Sequence, residues 1–106
     1  VYFRNLGENR ILLGGGRDRD IKGEETTVFG INPGIKNYLK DLADQVLKLP
    51  AGWEIEQEWS GIMAFTADHQ PILKKLDTHR VLACGLNGMG VAIGMQVGKE
   101  AVELLG

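Results

Sequence analysis

Arg80-Val81-Leu82-Ala83-Cys84-Gly85-Leu86-Asn87-Gly88-Met89-Gly90 reads as a compact apolar strand entering a tight glycine turn, and Val91 through Leu105 continues as a helix whose polar residues, Gln96, Lys99, Glu100 and Glu103, cluster late. A strand that passes through a glycine loop into a helix aims backbone N–H groups and the positive end of the helix dipole at whatever lies above the loop. Phosphate, carboxylate or an electron-rich ring carbonyl suits such a place, so Gly85 to Gly90 is the leading candidate site. It is not a dinucleotide fingerprint: Gly88-Met89-Gly90-Val91-Ala92-Ile93 lacks the third glycine, and the position about 20 residues on, where an acidic residue is expected, lies beyond Gly106. Gly14-Gly15-Gly16 also fails that spacing. Taken alone, a loop of this kind more often serves simple strand-to-helix packing. Gly94 and Gly98 each cost the helix about 1 kcal/mol relative to Ala. With Gly90 they share one face, which predicts a buried helix approached closely by another backbone.

Upstream, Trp53, Ile55 and Trp59 alternate with Glu54, Glu56 and Glu58. That alternation predicts a long, half-buried strand over 53–66, bent near Gly61. Before it, Asn32-Pro33 sets a favoured N-cap ahead of a proline at the first helical position. Ile35, Tyr38, Leu39, Leu42, Ala43, Val46 and Leu47 then keep the i, i+3, i+4, i+7 spacing of one helix face, and Pro50-Ala51-Gly52 stops it. Tyr2 to Leu6 and Arg10 to Leu13, joined by Gly7-Glu8-Asn9, read as an antiparallel hairpin. Arg17 to Glu25 reads as a solvated polar loop. The fold class is therefore α+β: an antiparallel sheet with an amphipathic helix, ending in a βα unit.

With 106 residues, 43% of them hydrophobic, the chain is long enough for one modest core and too short for two full domains. Twelve basic against 14 acidic side chains, a net charge of -2, provide neither the basic footprint of a nucleic-acid binder nor a patch for anionic membranes. No apolar run approaches the length needed to span a bilayer. The lone Cys84 fits a reducing compartment and makes the cytoplasm the expected location. Val1 rather than Met stands first and is already strand-like, which suggests an excised piece. The 15 glycines are about twice the average usage of roughly 7%, and where they sit matters more than their number.

Three stretches, taken in order, carry a family resemblance: Arg10-Ile11-Leu12-Leu13-Gly14-Gly15-Gly16-Arg17-Asp18, then Trp59-Ser60-Gly61-Ile62-Met63-Ala64-Phe65-Thr66-Ala67-Asp68-His69-Gln70-Pro71-Ile72-Leu73, then Cys84-Gly85-Leu86-Asn87-Gly88-Met89-Gly90. Their order and spacing over nearly the whole chain resemble the C-terminal part of FAD-dependent oxidoreductases of the D-amino-acid-oxidase-like superfamily, which includes glycine, sarcosine and amine oxidases. The resemblance implies that residues 1–79 belong to an α+β region covering the substrate, and that residues 80–106 form a βα unit completing a Rossmann-like FAD domain whose N-terminal half is missing. It implies that Gly85, Asn87, Gly88, Met89 and Gly90 lie at the pyrimidine edge of FAD, where a helix N-terminus stabilises negative charge on the reduced ring. Without the ADP-gripping half, this piece is expected neither to retain FAD nor to be active alone.

Two departures from the family pattern bear on chemistry. Amino-acid-oxidising relatives place an arginine, which pairs with the substrate carboxylate, where Met63 stands. Sarcosine-oxidase relatives carry a flavin-linking cysteine where Gly61 stands. The resemblance thus implies oxidation of a C–N bond in an amine or amino-acid-like substrate, with Arg17, Trp59 and Met63 as candidate substrate contacts. An Arg-Asp-Arg-Asp run is more often a solvated loop, an alternating tryptophan more often core, and Cys84 more often a buried apolar residue than a nucleophile. Asp68, His69, Asp77 and His79 form no recognisable metal-ligand pattern, and no metal is expected. The rival reading is a free-standing α+β binding or interaction module without redox chemistry.

Overall fold

The computed structural model describes Val1–Gly106 and divides into two units, Val1–Ile62 and Met63–Gly106. The first opens with the expected hairpin. Strands β1 (Tyr2–Asn5) and β2 (Ile11–Gly14) pair antiparallel in the register Tyr2↔Gly14 to Asn5↔Ile11, and Leu6 N–H closes the turn on Arg10 C=O at 2.8 Å. The polar stretch that follows is more ordered than a solvated loop. It forms a 3₁₀ turn over Arg17–Arg19 and a single helical turn, α1 (Ile21–Glu24), although its side chains remain exposed. Two local contacts supply this order. Asp20 caps α1 by accepting from Gly23 N–H, and the Arg19 guanidinium lies 4.2 Å from the centre of the Tyr38 ring.

Helix α2 (Pro33–Gln45) begins where its cap requires: Asn32 Oδ1 accepts from the N–H groups of Gly34 at 3.0 Å and Ile35 at 3.3 Å. Its other amide arm donates to Asp20 Oδ2 at 2.9 Å and Glu24 Oε1 at 3.2 Å, so one side chain ties α1 to the start of α2. The apolar face is as the periodicity predicts, with Ala43 buried and Ile35, Tyr38, Leu39, Leu42 and Leu47 half-buried, but Val46 is exposed. Gly16 lets the chain pass close to this face. A β-carbon there would stand 3.1 Å from Ile35 Cγ2 and 3.3 Å from Tyr38 Cδ1.

The strand predicted over 53–66 does not form, and the segment is irregular. No neighbouring strand offers it a hydrogen-bond ladder, and side chains hold it instead. Trp53 Nε1–H donates to Asp44 Oδ1 at 2.6 Å, Glu56 meets Arg10 at 3.4 Å, Glu58 meets Lys36 at 2.7 Å, and the Ser60 hydroxyl donates to Gly30 C=O. Trp53 is half-buried, but Trp59 is 68% exposed, so the alternation does not mark a core face.

In the second unit β3 (Ile72–Lys75) and β4 (Val81–Cys84) form a separate antiparallel pair in the register Ile72↔Cys84 to Lys75↔Val81. The α+β class holds, but as two small two-stranded sheets rather than one sheet. Asp77 organises the connecting turn, accepting from His79 N–H at 2.9 Å and from Arg80 Nε at 2.6 Å. Those donors hold its carboxyl below the usual carboxylate range, the His79 N–H foremost. Helix α3 (Gly90–Leu105) packs on both strands through a face that contains the buried Val97.

The burial predicted for α3 is only half met. Its opposite side leaves Val91 at 106% and Met95 at 89% of full exposure, and nothing lies within 4 Å of a β-carbon placed on Gly94 or Gly98. A two-stranded sheet covers one side of a helix and no more. The core is correspondingly thin, and its buried apolar residues are Ala43 in one unit and Val97 in the other. No helix is long and apolar enough to cross a membrane.

Two measurements check this account of α2. Leu42→Ala should cost about 2 kcal/mol in a denaturant melt, the low end for a core leucine because Leu42 is half-buried, while Lys40→Ala on the open face should stay within about 0.5 kcal/mol. Asn32 donates to Asp20, and this bond, ahead of that from Gly23 N–H, holds the Asp20 carboxyl below its ordinary range. A lowered folded pKa favours the folded state above the unfolded value of about 3.9, and the benefit fades as pH falls through the lowered value. Asn32→Ala should therefore move the Asp20 midpoint upward in an NMR titration and remove a helix cap worth about 1 kcal/mol.

Candidate functional site

Five residues, Gly85 to Met89, bend β4 into α3. Gly85, Asn87 and Gly88 take left-handed backbone angles, with φ of 68°, 55° and 76°, and Met89 N–H returns to Leu86 C=O at 2.8 Å. Left-handed geometry is costly for side chains other than glycine, asparagine and aspartate, which accounts for the residue types at all three positions. Gly85 is also a close approach: it is buried, and a β-carbon on it would come within 2.7 Å of Thr66 Cγ2.

Thr66 belongs to the segment that the loop holds. Its N–H donates to Asn87 Oδ1 at 2.7 Å, and its hydroxyl lies 2.8 Å from Gln70 C=O and 3.2 Å from the same Asn87 oxygen. Asn87 Nδ2 donates to Gly85 C=O at 2.6 Å, and Asn87 N–H reaches Ala64 C=O at 3.3 Å. Asn87 is thus engaged through both ends of its amide and through its backbone. Beyond Thr66, Asp68 accepts from Gln70 N–H at 3.0 Å, the main reason its carboxyl lies below the usual range.

The same clamp sets Met63 and Phe65 beside the glycines. A β-carbon on Gly88 would stand 3.6 Å from Met63 Sδ and 3.9 Å from Phe65 Cζ. Met63 and Met89 remain more than half exposed. No side chain caps α3. The N–H groups of Ala92 and Ile93 turn back to Met89 C=O, at 3.0 Å each, while those of Gly90 and Val91 have no acceptor within the chain. The result is a helix N-terminus with outward donors, small residues around it and a thioether at its rim. The donor set suits an electronegative atom of a planar ring or an acid group.

Of the residues singled out from the sequence, Gly85, Asn87, Gly88, Met89, Gly90 and Met63 come together in this one unit. Arg17, on the exposed 3₁₀ turn, and Trp59, on the irregular segment, belong to the other. Thr66 and Phe65 were not singled out. The Thr66-Ala67-Asp68 composition signals a turn, but nothing local in the sequence reveals a bond to a residue 21 positions away. Cys84 is half-buried. No three His, Cys, Asp or Glu side chains lie close enough together to hold a metal ion.

Comparison with known proteins yields one family. The family model described as FAD dependent oxidoreductase matches residues 1–104. No curated protein and no solved structure matches the chain. The match takes in both units, including the hairpin, the Met63–Thr66 segment and the loop that leads into α3. The chain belongs to the FAD-dependent oxidoreductase family.

Proposed function

We propose that this chain is the C-terminal part of a flavoenzyme that oxidises a C–N bond in an amine or amino-acid-like substrate, and that Gly85, Asn87, Gly88, Met89 and Gly90 border the pyrimidine edge of its FAD. The observation that carries this reading is the uncapped N-terminus of α3, with the N–H groups of Gly90 and Val91 open, set behind a loop too small to obstruct a ring. Family membership supports it independently. When bound, FAD supplies the two-electron acceptor for the oxidation.

The chain's own residues then have separable tasks. Gly88 and Gly90 keep side chains out of the path between backbone donors and a ring oxygen, because such a bond needs a separation of about 2.9 Å. The α3 dipole favours the extra negative charge that reduction brings to that edge. Met63, against Gly88, presents an apolar, polarisable rim. A thioether cannot pair with a carboxylate, which favours an amine, or an amino-acid-like molecule whose acid group is held elsewhere, over a substrate gripped at this position. Arg17 is the candidate cation for such an acid group, and Trp59 the candidate wall of the substrate pocket. In the same reading residues 1–79 cover the substrate, residues 80–106 return to the FAD domain, and the bare Gly94 and Gly98 face of α3 receives the Rossmann-like half that grips the ADP portion. The 106 residues alone then neither retain FAD nor turn over.

Gly88 and Gly7 form a matched test. Both have left-handed φ, 76° and 88°, so alanine at either carries a similar backbone cost of about 1–2 kcal/mol. In the intact flavoprotein Gly88→Ala should weaken FAD retention or lower the flavin midpoint potential, and Gly7→Ala should leave both unchanged. Equilibrium dialysis and a redox titration on folded material read the two quantities. Unchanged values in Gly88→Ala would remove the loop from the flavin site.

A further inference from the structure

Asn87 does more than fill a turn. A left-handed turn needs a glycine or an asparagine, but it does not need the asparagine's amide, and here both ends of that amide are committed. Oδ1 accepts from Thr66 N–H at 2.7 Å, and Nδ2 donates to Gly85 C=O at 2.6 Å. One bond reaches across to the Met63–Thr66 segment and the other braces the loop at its entry. One of the two Nδ2 hydrogens is committed to Gly85 C=O and Oδ1 to Thr66 N–H, so the role argued for Asn87 passes through the groups that its amide holds. Those groups stand on both sides of the candidate site. Met63 and Phe65 flank Gly88 from the segment, while the open N–H groups of Gly90 and Val91 follow on the loop side.

We propose that Asn87, acting on Thr66, is a positioning residue that locks the substrate-side Met63 segment to the flavin-side glycine loop, so that the two address a bound ring in one register. This rests on the flavoenzyme reading above. The Thr66 hydroxyl has a single hydrogen, and its shorter contact is to Gln70 C=O, at 2.8 Å against 3.2 Å to Asn87. The main strut is therefore the Thr66 N–H, which substitution of the Thr66 side chain leaves in place. Gly85 completes the device by letting Thr66 Cγ2 sit where its own β-carbon would be.

The test uses the intact flavin-loaded protein. Asn87→Gly keeps the left-handed backbone and deletes both amide bonds. It should weaken FAD retention about tenfold, as expected for two net hydrogen bonds of roughly 0.7 kcal/mol each. The flavin absorption envelope and midpoint potential should shift with it. Asn9→Gly, which removes an asparagine amide from the exposed β1–β2 turn, should match the parent in all three readouts. If Asn87→Gly does not fold, Asn87→Asp replaces it: it keeps an acceptor for Thr66 N–H and deletes the bond to Gly85 C=O, with a loss of about threefold in FAD retention. A melting temperature that falls while retention, spectrum and potential stay at parent values would overturn the proposal, leaving Asn87 a merely structural residue. A parent that takes up no flavin overturns the flavoenzyme reading itself, and does so before any variant is made.

Discussion

The hydrogen bond from Thr66 N–H to Asn87 Oδ1, 2.7 Å long, is the constraint on which the geometry of the second unit's candidate site depends. It joins a segment with no regular secondary structure to the loop that leads into α3. Without it the Met63–Thr66 stretch has no ladder to define its path, since the nearest strand, β3, begins only at Ile72. With it, Met63 and Phe65 take up contact distance from Gly88, and Thr66 Cγ2 fills the space left open by Gly85. An amide suits this role because it accepts and donates at once, and because asparagine tolerates the left-handed backbone that the turn imposes.

The packing around this site is asymmetric. Each unit sets one helix against one hairpin, and each buries a single apolar residue, Ala43 or Val97. Burial of apolar area is the dominant favourable term in folding, so faces such as Val91, Met95 and Val102 on α3 are stabilisation not drawn on within these residues. Helical glycines are unfavourable by about 1 kcal/mol each, and Gly94 and Gly98 meet nothing in the chain that offsets this. In the proposed flavoenzyme the offset comes from the FAD-binding half, whose backbone uses the shallow glycine face. The thin core and the bare helix face then have one common origin.

Local physics was the most legible part of the sequence. Helix α2 carries its own cap, its own proline and an uninterrupted apolar face, so Asn32 to Gln45 could be read without knowledge of anything else. The hairpin through Gly7 and the strand–loop–helix passage through Gly85 to Gly90 were equally local. What failed was nonlocal. Trp53, Ile55 and Trp59 have the alternation of a strand, but a strand also needs a neighbour, and Trp53 is drawn to Asp44 instead. Strand β3 leaves little trace in the sequence because Ile72-Leu73-Lys74-Lys75 alternates poorly, and its pairing with β4 is set by the Asp77 turn. The glycine loop is visible as a candidate site, whereas the clamp that shapes it joins residues 21 apart and leaves no periodic trace.

The central claim is that the open N–H groups at the start of α3 face the flavin. Amide chemical shifts of Gly88, Gly90 and Val91 in the intact protein, compared with and without FAD, test it most directly. The account predicts that these three resonances move on FAD binding well beyond the shift of an amide remote from the loop, such as that of Gly7. FAD bound stoichiometrically with all three resonances unmoved would contradict it.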